Sequence, residues 1–247
     1  MDKLFDFTGK VVLVTGGSRG LGYQMIKAFA ERGADVVIAS RKIETCEEVA
    51  REMEALGRRA LAIACHVGNW DDIDRMIEVV YARFGRIDIL VNNAGLSPLA
   101  PSSHETSEAL FDKVIDINFK GPFRLASQVA ARMMAGEGGS IINVSSTGAL
   151  RPPANLAPYA GAKAGLNAMT ESFAQEYGPK VRVNTLSPGP FLTDISKAWA
   201  PENREKVVSA IGRPGYPEEI ITAALFLASP MSSFTTGALV RVDGGLP

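Results

Sequence analysis

Seven short apolar runs, rich in β-branched residues, alternate with six amphipathic stretches along the 247-residue chain. The runs fall at 11–14, 35–39, 59–64, 87–91, 140–144, 181–186 and 239–242. Helical patterns occupy 21–32, 43–56, 70–84, 107–134, 158–177 and 218–228. Alternation of this kind calls for βαβ units and a parallel sheet. The runs are nearly continuous in apolar residues, as strands covered on both faces must be. Right-handed crossovers then wind helices onto both faces and leave ligand crevices at the carboxyl ends of the strands. Thr106 is the expected N-cap of the fourth helix, with Glu108 in its first turn favouring the helix dipole. Pro158 suits the start of the fifth, where its missing N–H costs nothing. No linker, repeat or low-complexity tract divides the chain, so one domain spans 1–247. The segment 191–213 lacks a strand and follows the sixth run on the ligand side, which makes it a candidate substrate lid.

The first strand leads into Thr15-Gly16-Gly17-Ser18-Arg19-Gly20-Leu21-Gly22 and then a helix. Strand, glycine-rich turn and helix N-terminus together form a phosphate cradle. The glycines let backbone N–H groups approach the phosphates, and the helix terminus adds partial positive charge. The spacing is G-x-x-x-G-x-G, which differs from the commonest dinucleotide fingerprint. The fold expected is therefore α/β, a single Rossmann-type doubly wound parallel sheet of about seven strands. At the end of the second strand stand Ser40 and Arg41, where an NAD site usually places an acid to bind the ribose 2′-hydroxyl. Arg41 and Arg19 flank that ribose and suit a 2′-phosphate, so NADP(H) is expected over NAD(H).

Tyr159 and Lys163 are four apart on the fifth helical stretch and share a face. A tyrosine shuttles protons near neutral pH only if its pKa falls from ~10 toward ~7, at about 4 kcal/mol. One cation about 4 Å away at an effective dielectric of ~20 supplies about that much, but burial works against it, so the positive nicotinamide of the oxidised cofactor is expected to help. The strand before this helix ends at Asn143-Val144-Ser145-Ser146, and Ser146 there can hold a substrate oxygen.

The order and spacing of these pieces resemble the short-chain dehydrogenase/reductase family. They are Thr15-Gly16…Gly20…Gly22, Asn92-Asn93-Ala94-Gly95, Asn118, Ser146, Tyr159…Lys163 and Pro188-Gly189, and the likeness runs from Gly9 to Gly245. The chain looks like the branch containing 3-oxoacyl-carrier-protein reductases and gluconate 5-dehydrogenases. The resemblance implies that Tyr159 is the general acid/base, Lys163 lowers its pKa and binds the nicotinamide ribose, and Ser146 orients the substrate oxygen. It implies that Asn118 supports a water leading to Lys163. Gly16, Ser18, Arg19, Gly20, Leu21, Gly22, Ser40, Arg41, Asn92, Ala94 and Gly95 would hold the adenosine and pyrophosphate, and Pro188, Gly189 and Thr193 the carboxamide. The family commonly has an Asp-Val pair after the third strand; His66-Val67 stands here, and an imidazole meets adenine differently from a carboxylate.

Candidate pocket residues are Ser97, Pro98, Leu99, Thr147, Ala149, Leu150, Pro190, Phe191 and Trp199. They are mostly apolar and uncharged. No cluster of cations awaits a carboxylate, although Arg151 is placed to approach one, and a neutral ketone or secondary alcohol is the expected substrate. The alternatives are a sugar or polyol dehydrogenase working oxidatively with NAD(P), and a non-catalytic NADP(H)-binding regulator. An enoyl reductase is disfavoured because that group spaces its tyrosine and lysine more widely. The resemblance also implies a homotetramer or dimer.

A net charge of −1 argues against nucleic acid or an anionic membrane as partner. Aromatics at 7% leave few base-stacking platforms. Cys46 and Cys65 form no C-x-x-C pattern, and His66 and His104 are isolated, so no metal site is expected. Asp2 and Asp6 stand where a signal peptide would be apolar, and no apolar stretch reaches the ~18 residues of a membrane span. A cytoplasmic protein with reduced thiols is expected.

Overall fold

The structure, a computed structural model, describes residues 3–194, 196 and 205–247. The strands are β1 Val11–Thr15, β2 Asp35–Ser40, β3 Ala60–Ala64, β4 Ile89–Asn92, β5 Gly139–Val144, β6 Val181–Pro188 and β7 Leu239–Val242. They form one parallel sheet in the order β3-β2-β1-β4-β5-β6-β7. Between β1 and β4 the winding reverses, and this switch point opens a crevice at the carboxyl edge. The helices are α1 Gly20–Glu31, α2 Ile43–Ala55, α3 Trp70–Phe84, α4 Glu108–Ile115, α5 Gly121–Ala135, α6 Ala157–Tyr177 and α7 Ile221–Ala228.

Alternate residues of β1 to β6 feed two cores. On one face Val12, Val14, Val36 and Ile38 pack under α1, α2 and α7, with Phe29, Met53 and Leu225. On the other Leu13, Val37, Leu90 and Ile141 pack under α3, α5 and α6, with Ile73, Leu125 and Leu166. All residues of β1 are buried, which explains why its sequence shows no polar alternation. Each large aliphatic side chain placed there contributes roughly 1.5–3 kcal/mol.

Two local expectations are corrected. The helical pattern over 107–134 is not one α-helix: α4 and α5 are separated by a π-helical turn, Asp116–Lys120. The Asn118 amide donates to Val114 O at 2.9 Å, so a side chain takes a carbonyl of the helix ladder there. Such inserted turns recur at functional sites. The N-cap of α4 is Ser107, whose hydroxyl accepts from Leu110 N–H at 3.2 Å. Thr106 instead donates to Ser102 O at 3.0 Å. No helix among the described residues is long and apolar enough to cross a membrane.

Candidate active site

The glycine turn is shaped by two backbones that nearly touch. A Cβ on Gly22 would stand 2.2 Å from Gly16 O, so only glycine lets α1 begin so close to the end of β1. Gly16 and Gly20 have φ of +66° and +55°, in the left-handed region where glycine is unstrained. Asn93 holds the turn in place: its amide donates to Thr15 O at 2.9 Å. In return, Thr15 Oγ1 accepts from the N–H groups of Asn93 and Ala94, both at 3.1 Å. The residue capping α1, Arg19, makes no side-chain cap. The first-turn N–H groups of a twelve-residue helix are thus left to an anion.

A cleft of about 680 Å³ runs along the carboxyl edge over this turn. One end is lined by Ser40, Arg41, His66 and Val67, its middle by Gly16, Ser18, Arg19, Gly20 and Leu21, then Ala94 and Gly95. Its far end is lined by Ser97, Ser146, Thr147, Tyr159, Lys163, Pro188, Gly189, Pro190, Phe191 and Thr193. The residues present fit a nicotinamide dinucleotide: an uncapped helix N-terminus for a pyrophosphate, and two arginines with a serine, without an acid, beside the β2 end. Arg19 reaches across the cleft to Asp194, 3.4 Å away.

Several residues named from the sequence are not on the cleft wall. Gly22 lies beneath the turn, where its role is the close approach just described. Asn92 is 3% exposed and points into the protein, donating to Asn143 Oδ1 at 2.9 Å. Asn143 in turn donates to Thr170 on α6 at 2.9 Å, so this chain of side chains ties β4, β5 and α6 together. Ala149 and Leu150, at the end of the 3₁₀ turn whose Thr147 and Gly148 line the cleft, do not reach its wall, and Leu99 and Pro98 lie outside it, Leu99 being 71% exposed. Trp199, with residue 195 and the whole of 197–204, lies outside the described residues. The two described ends of the 191–213 segment, Phe191 and Val208, both line the cleft. Phe191 is buried and bridges Gly215.

The reacting end is built by the carboxyl end of β5 and the first turns of α6. Ser146 follows β5 and caps the 3₁₀ turn Thr147–Ala149, its Oγ accepting from Gly148 N–H at 3.0 Å. A Cβ on Gly148 would lie 3.3 Å from Ser146 Oγ and 3.6 Å from Tyr159 Cε1, so the glycine keeps the space between hydroxyl and phenol open. Burial pushes the Tyr159 phenol above its ordinary pKa, and the Ser146 hydroxyl acts in the opposite direction by favouring the ionised form. Lys163, one turn on, is 3% exposed and donates to Val144 O at 2.7 Å. Burial alone lowers its pKa to about 8. Burial thus works against the downward pull expected from Lys163, and the phenol stands above its usual value. Desolvation of the phenol is the larger effect, and the ammonium is turned to a main-chain carbonyl.

Asn118 is fully buried in the π turn. Its amide donates to Leu96 O at 2.9 Å and its Oδ1 accepts from Leu96 N–H at 3.3 Å, which clamps the segment after β4. A Cβ on Gly95 would stand 3.0 Å from Asn118 Oδ1 and 3.6 Å from Lys163 Nζ. Glycine at 95 therefore keeps these two polar groups facing one another. A residue at 121 other than glycine would meet Val67 O at 1.9 Å, so α5 seats the β3–α3 loop against the cleft.

Gly148, Pro153 and Leu156, on the loop between Ser146 and Tyr159, and Leu246 line the cleft without having been named from the sequence, whereas Asp194 and Val208 fall in the 191–213 segment. The first three were accessible in principle, because both ends of their loop were already assigned to the site. Leu246 carries no local signal; it reaches the cleft because the chain turns back after β7.

A doubly wound sheet with a nucleotide cradle at its switch point, and a Ser–Tyr–Lys group at the next strand end, defines a nucleotide-dependent α/β enzyme scaffold. A family model described as enoyl-(acyl carrier protein) reductase matches residues 16–247. The chain is 37% identical over 241 residues to the 3-oxoacyl-[acyl-carrier-protein] reductase FabG of Thermotoga maritima, covering 96% of this chain and 98% of that one. It is 37% identical over 254 residues to the short chain dehydrogenase/reductase astE of Aspergillus oryzae, covering 99% and 97%. Among solved structures, a 7α-hydroxysteroid dehydrogenase complexed with NADH and 7-oxo glycochenodeoxycholic acid superposes with a TM-score of 0.94 at 33% identity, covering 99% of this chain and 96% of that one. The chain belongs to the short-chain dehydrogenase/reductase family, and is an oxidoreductase.

Proposed function

We propose that this chain is an NADP(H)-dependent oxidoreductase that interconverts a ketone and a secondary alcohol, with Tyr159 as the general acid/base. The observation that carries this is the meeting of Ser146, Tyr159 and Lys163 at one end of the cleft whose middle is the uncapped N-terminus of α1. A bound nicotinamide dinucleotide supplies the hydride donor or acceptor. Ser146 donates its hydroxyl hydrogen to the substrate oxygen and fixes its position. Tyr159 transfers its phenolic proton to that oxygen as charge develops in reduction, and takes it back in oxidation. Lys163 places positive charge beneath the site, and Asn118 and Gly95 keep the passage to it open. The segment 191–213 acts as a lid, a reading supported by Phe191 and Val208, which line the cleft from its described parts.

Support for NADP(H) comes from Ser40, Arg41 and Arg19, which line the cleft near the β2 end, where no acid stands to bind a free 2′-hydroxyl. Purified protein should oxidise NADPH in preference to NADH against a panel of ketones. Ser40→Asp combined with Arg41→Ala should weaken NADPH binding by about 10- to 100-fold, the worth of a lost charge-assisted bond. The same change should improve NADH binding. Unchanged NADPH affinity in a fluorescence titration would sink the 2′-phosphate assignment.

The reading includes a homo-oligomer, supported by partly exposed Phe111 on α4 and Phe123 on α5. Light scattering should give a mass at least twice the chain mass of 26.3 kDa. A monomer at micromolar concentration would overturn it.

A further inference from the structure

After β7 the chain runs Asp243-Gly244-Gly245-Leu246-Pro247 and returns to the cleft, which Leu246 and Pro247 both line. Gly244 and Gly245 have φ of +67° and +74°, left-handed values that glycine adopts without strain, and they make the reversal. The Asp243 carboxylate fixes its shape by accepting from Arg241 Nε–H at 2.7 Å and from Gly245 N–H at 3.0 Å. The reversal rests on the Pro188-Gly189 turn, where a Cβ on Gly189 would stand 2.6 Å from Asp243 Cβ. Gly244 O and Gly245 O then accept from Ile211 N–H at 3.0 Å and Ala210 N–H at 3.1 Å, which ties in the 207–212 arm of the lid. Pro247 O accepts from Arg151 Nε–H at 2.9 Å, which ties in the loop between Ser146 and Tyr159. Leu246, Pro247 and the lid residue Val208 belong to neither core. Hydrogen bonds rather than buried apolar area hold this arrangement together. It therefore stands at the low-stability end of the fold, from which opening and closing segments are drawn.

We infer that residues 243–247 form a strap that closes the substrate end of the cleft, and that Arg151 is the positioning residue that fastens it. The inference rests on the carbonyl-reductase reading above and assigns what holds the lid of that same site shut. Arg151 acts on the ketone only through Pro247. Leu246 stands between two ties, Gly245 O to the lid arm and Pro247 O to the loop that carries Arg151. With both ties made, it completes the wall, and the ketone is enclosed beside Ser146 and Tyr159. When Pro247 is released, the strap that supplies acceptors to Ala210 and Ile211 is held at one end only. The site is then closed for a smaller fraction of the time, and the apparent affinity for the ketone falls with that fraction. Arg151 is exposed, so the bond is worth less than a buried charge-assisted one, and the expected change is about 2- to 10-fold.

The test compares the wild type with Arg151→Ala, with a chain lacking Leu246 and Pro247, and with the double variant. Hydrogen exchange of the Ala210 and Ile211 amides, resolved by NMR, should quicken about 2- to 10-fold in either single variant. At saturating NADPH the KM for a reduced ketone should rise by a similar factor, with kcat changing less. The NADPH dissociation constant from fluorescence titration should stay within about twofold, because the cofactor does not depend on the strap. The double variant should be no worse than either single one, since both break the same tie. Three results would each overturn the proposal. One is unchanged exchange at both amides in Arg151→Ala. Another is a parallel loss of ketone and NADPH affinity, which would mean that the arginine only supports its own loop. The third is effects that add in the double variant, which would mean that Arg151 and the tail act separately. If no ketone is reduced at all, the carbonyl-reductase reading fails instead. Amide exchange then decides for the strap: faster exchange in both single variants, not added in the double, supports it, and any other pattern overturns it.

Discussion

Tyr159→Phe is expected to lower kcat by about 10³-fold, within the range for loss of a positioned general acid, while NADPH binds with nearly its original affinity. The phenyl ring keeps the packing of α6 beside Gly148 and removes only the hydroxyl. A parallel fall in cofactor affinity would show that the phenol holds the dinucleotide rather than the proton. The direction of the pKa shift adds a second expectation. Burial raises the Tyr159 phenol, so at neutral pH it carries its proton and is ready to serve as an acid. Ketone reduction should therefore proceed at neutral pH and decline as the pH approaches the phenol's ionisation. Alcohol oxidation needs the phenolate and should accelerate over the same rise. Opposite pH slopes for the two directions, absent in Tyr159→Phe, are the signature. Identical slopes would remove Tyr159 from the proton path.

Lys163→Met is expected to make the protein more stable and nearly inactive. The ammonium is buried, and its pKa falls from 10.5 to about 8 through desolvation. The unfolded chain therefore binds the proton more tightly than the folded one. Between those two values stability rises with pH, and below about 8 the folded protein bears the whole cost. The gap corresponds to about 3 kcal/mol at neutral pH. Methionine removes that cost but leaves Val144 O without its donor, a loss of about 1 kcal/mol. The net gain of about 2 kcal/mol should raise Tm by about 4–8 °C at pH 7. Above pH 10.5 the gain should vanish, because lysine is then neutral in both states. Removal of the charge should cost about 10²- to 10³-fold in kcat. A variant that is less stable at pH 7 would show that the lysine is a structural tie. The expected trade marks a residue kept for chemistry at the expense of the fold.

The difference between what was legible in the sequence and what was not follows the range of the forces involved. The seven strands and their parallel arrangement were legible because continuous apolar runs such as Val11-Val12-Leu13-Val14 admit burial on both faces and little else. The glycine turn was legible because strand, Gly16, Gly20 and helix follow one another within ten residues. Tyr159 and Lys163 were legible as a pair because four residues of helix bring side chains to one face. The π turn at Asp116–Lys120 was not, since its cause is a hydrogen bond from Asn118 to the carbonyl ladder, and hydrophobic periodicity runs through it unchanged.

Sequence alone determined the sheet, the crevice at its carboxyl edge and the chemistry that can stand there, because each depends on neighbours along the chain. Tertiary structure decided how the site is assembled. Packing, rather than pattern, turns Asn92 inward to Asn143 on β5. The descent of Lys163 to about 8 exists only because other elements exclude water from it. Arg151 reads as an ordinary loop cation until the chain beyond β7 returns to place Pro247 O beside it. Each of these comes from groups far apart in sequence, and burial and hydrogen bonding between such groups are defined only once the chain has folded.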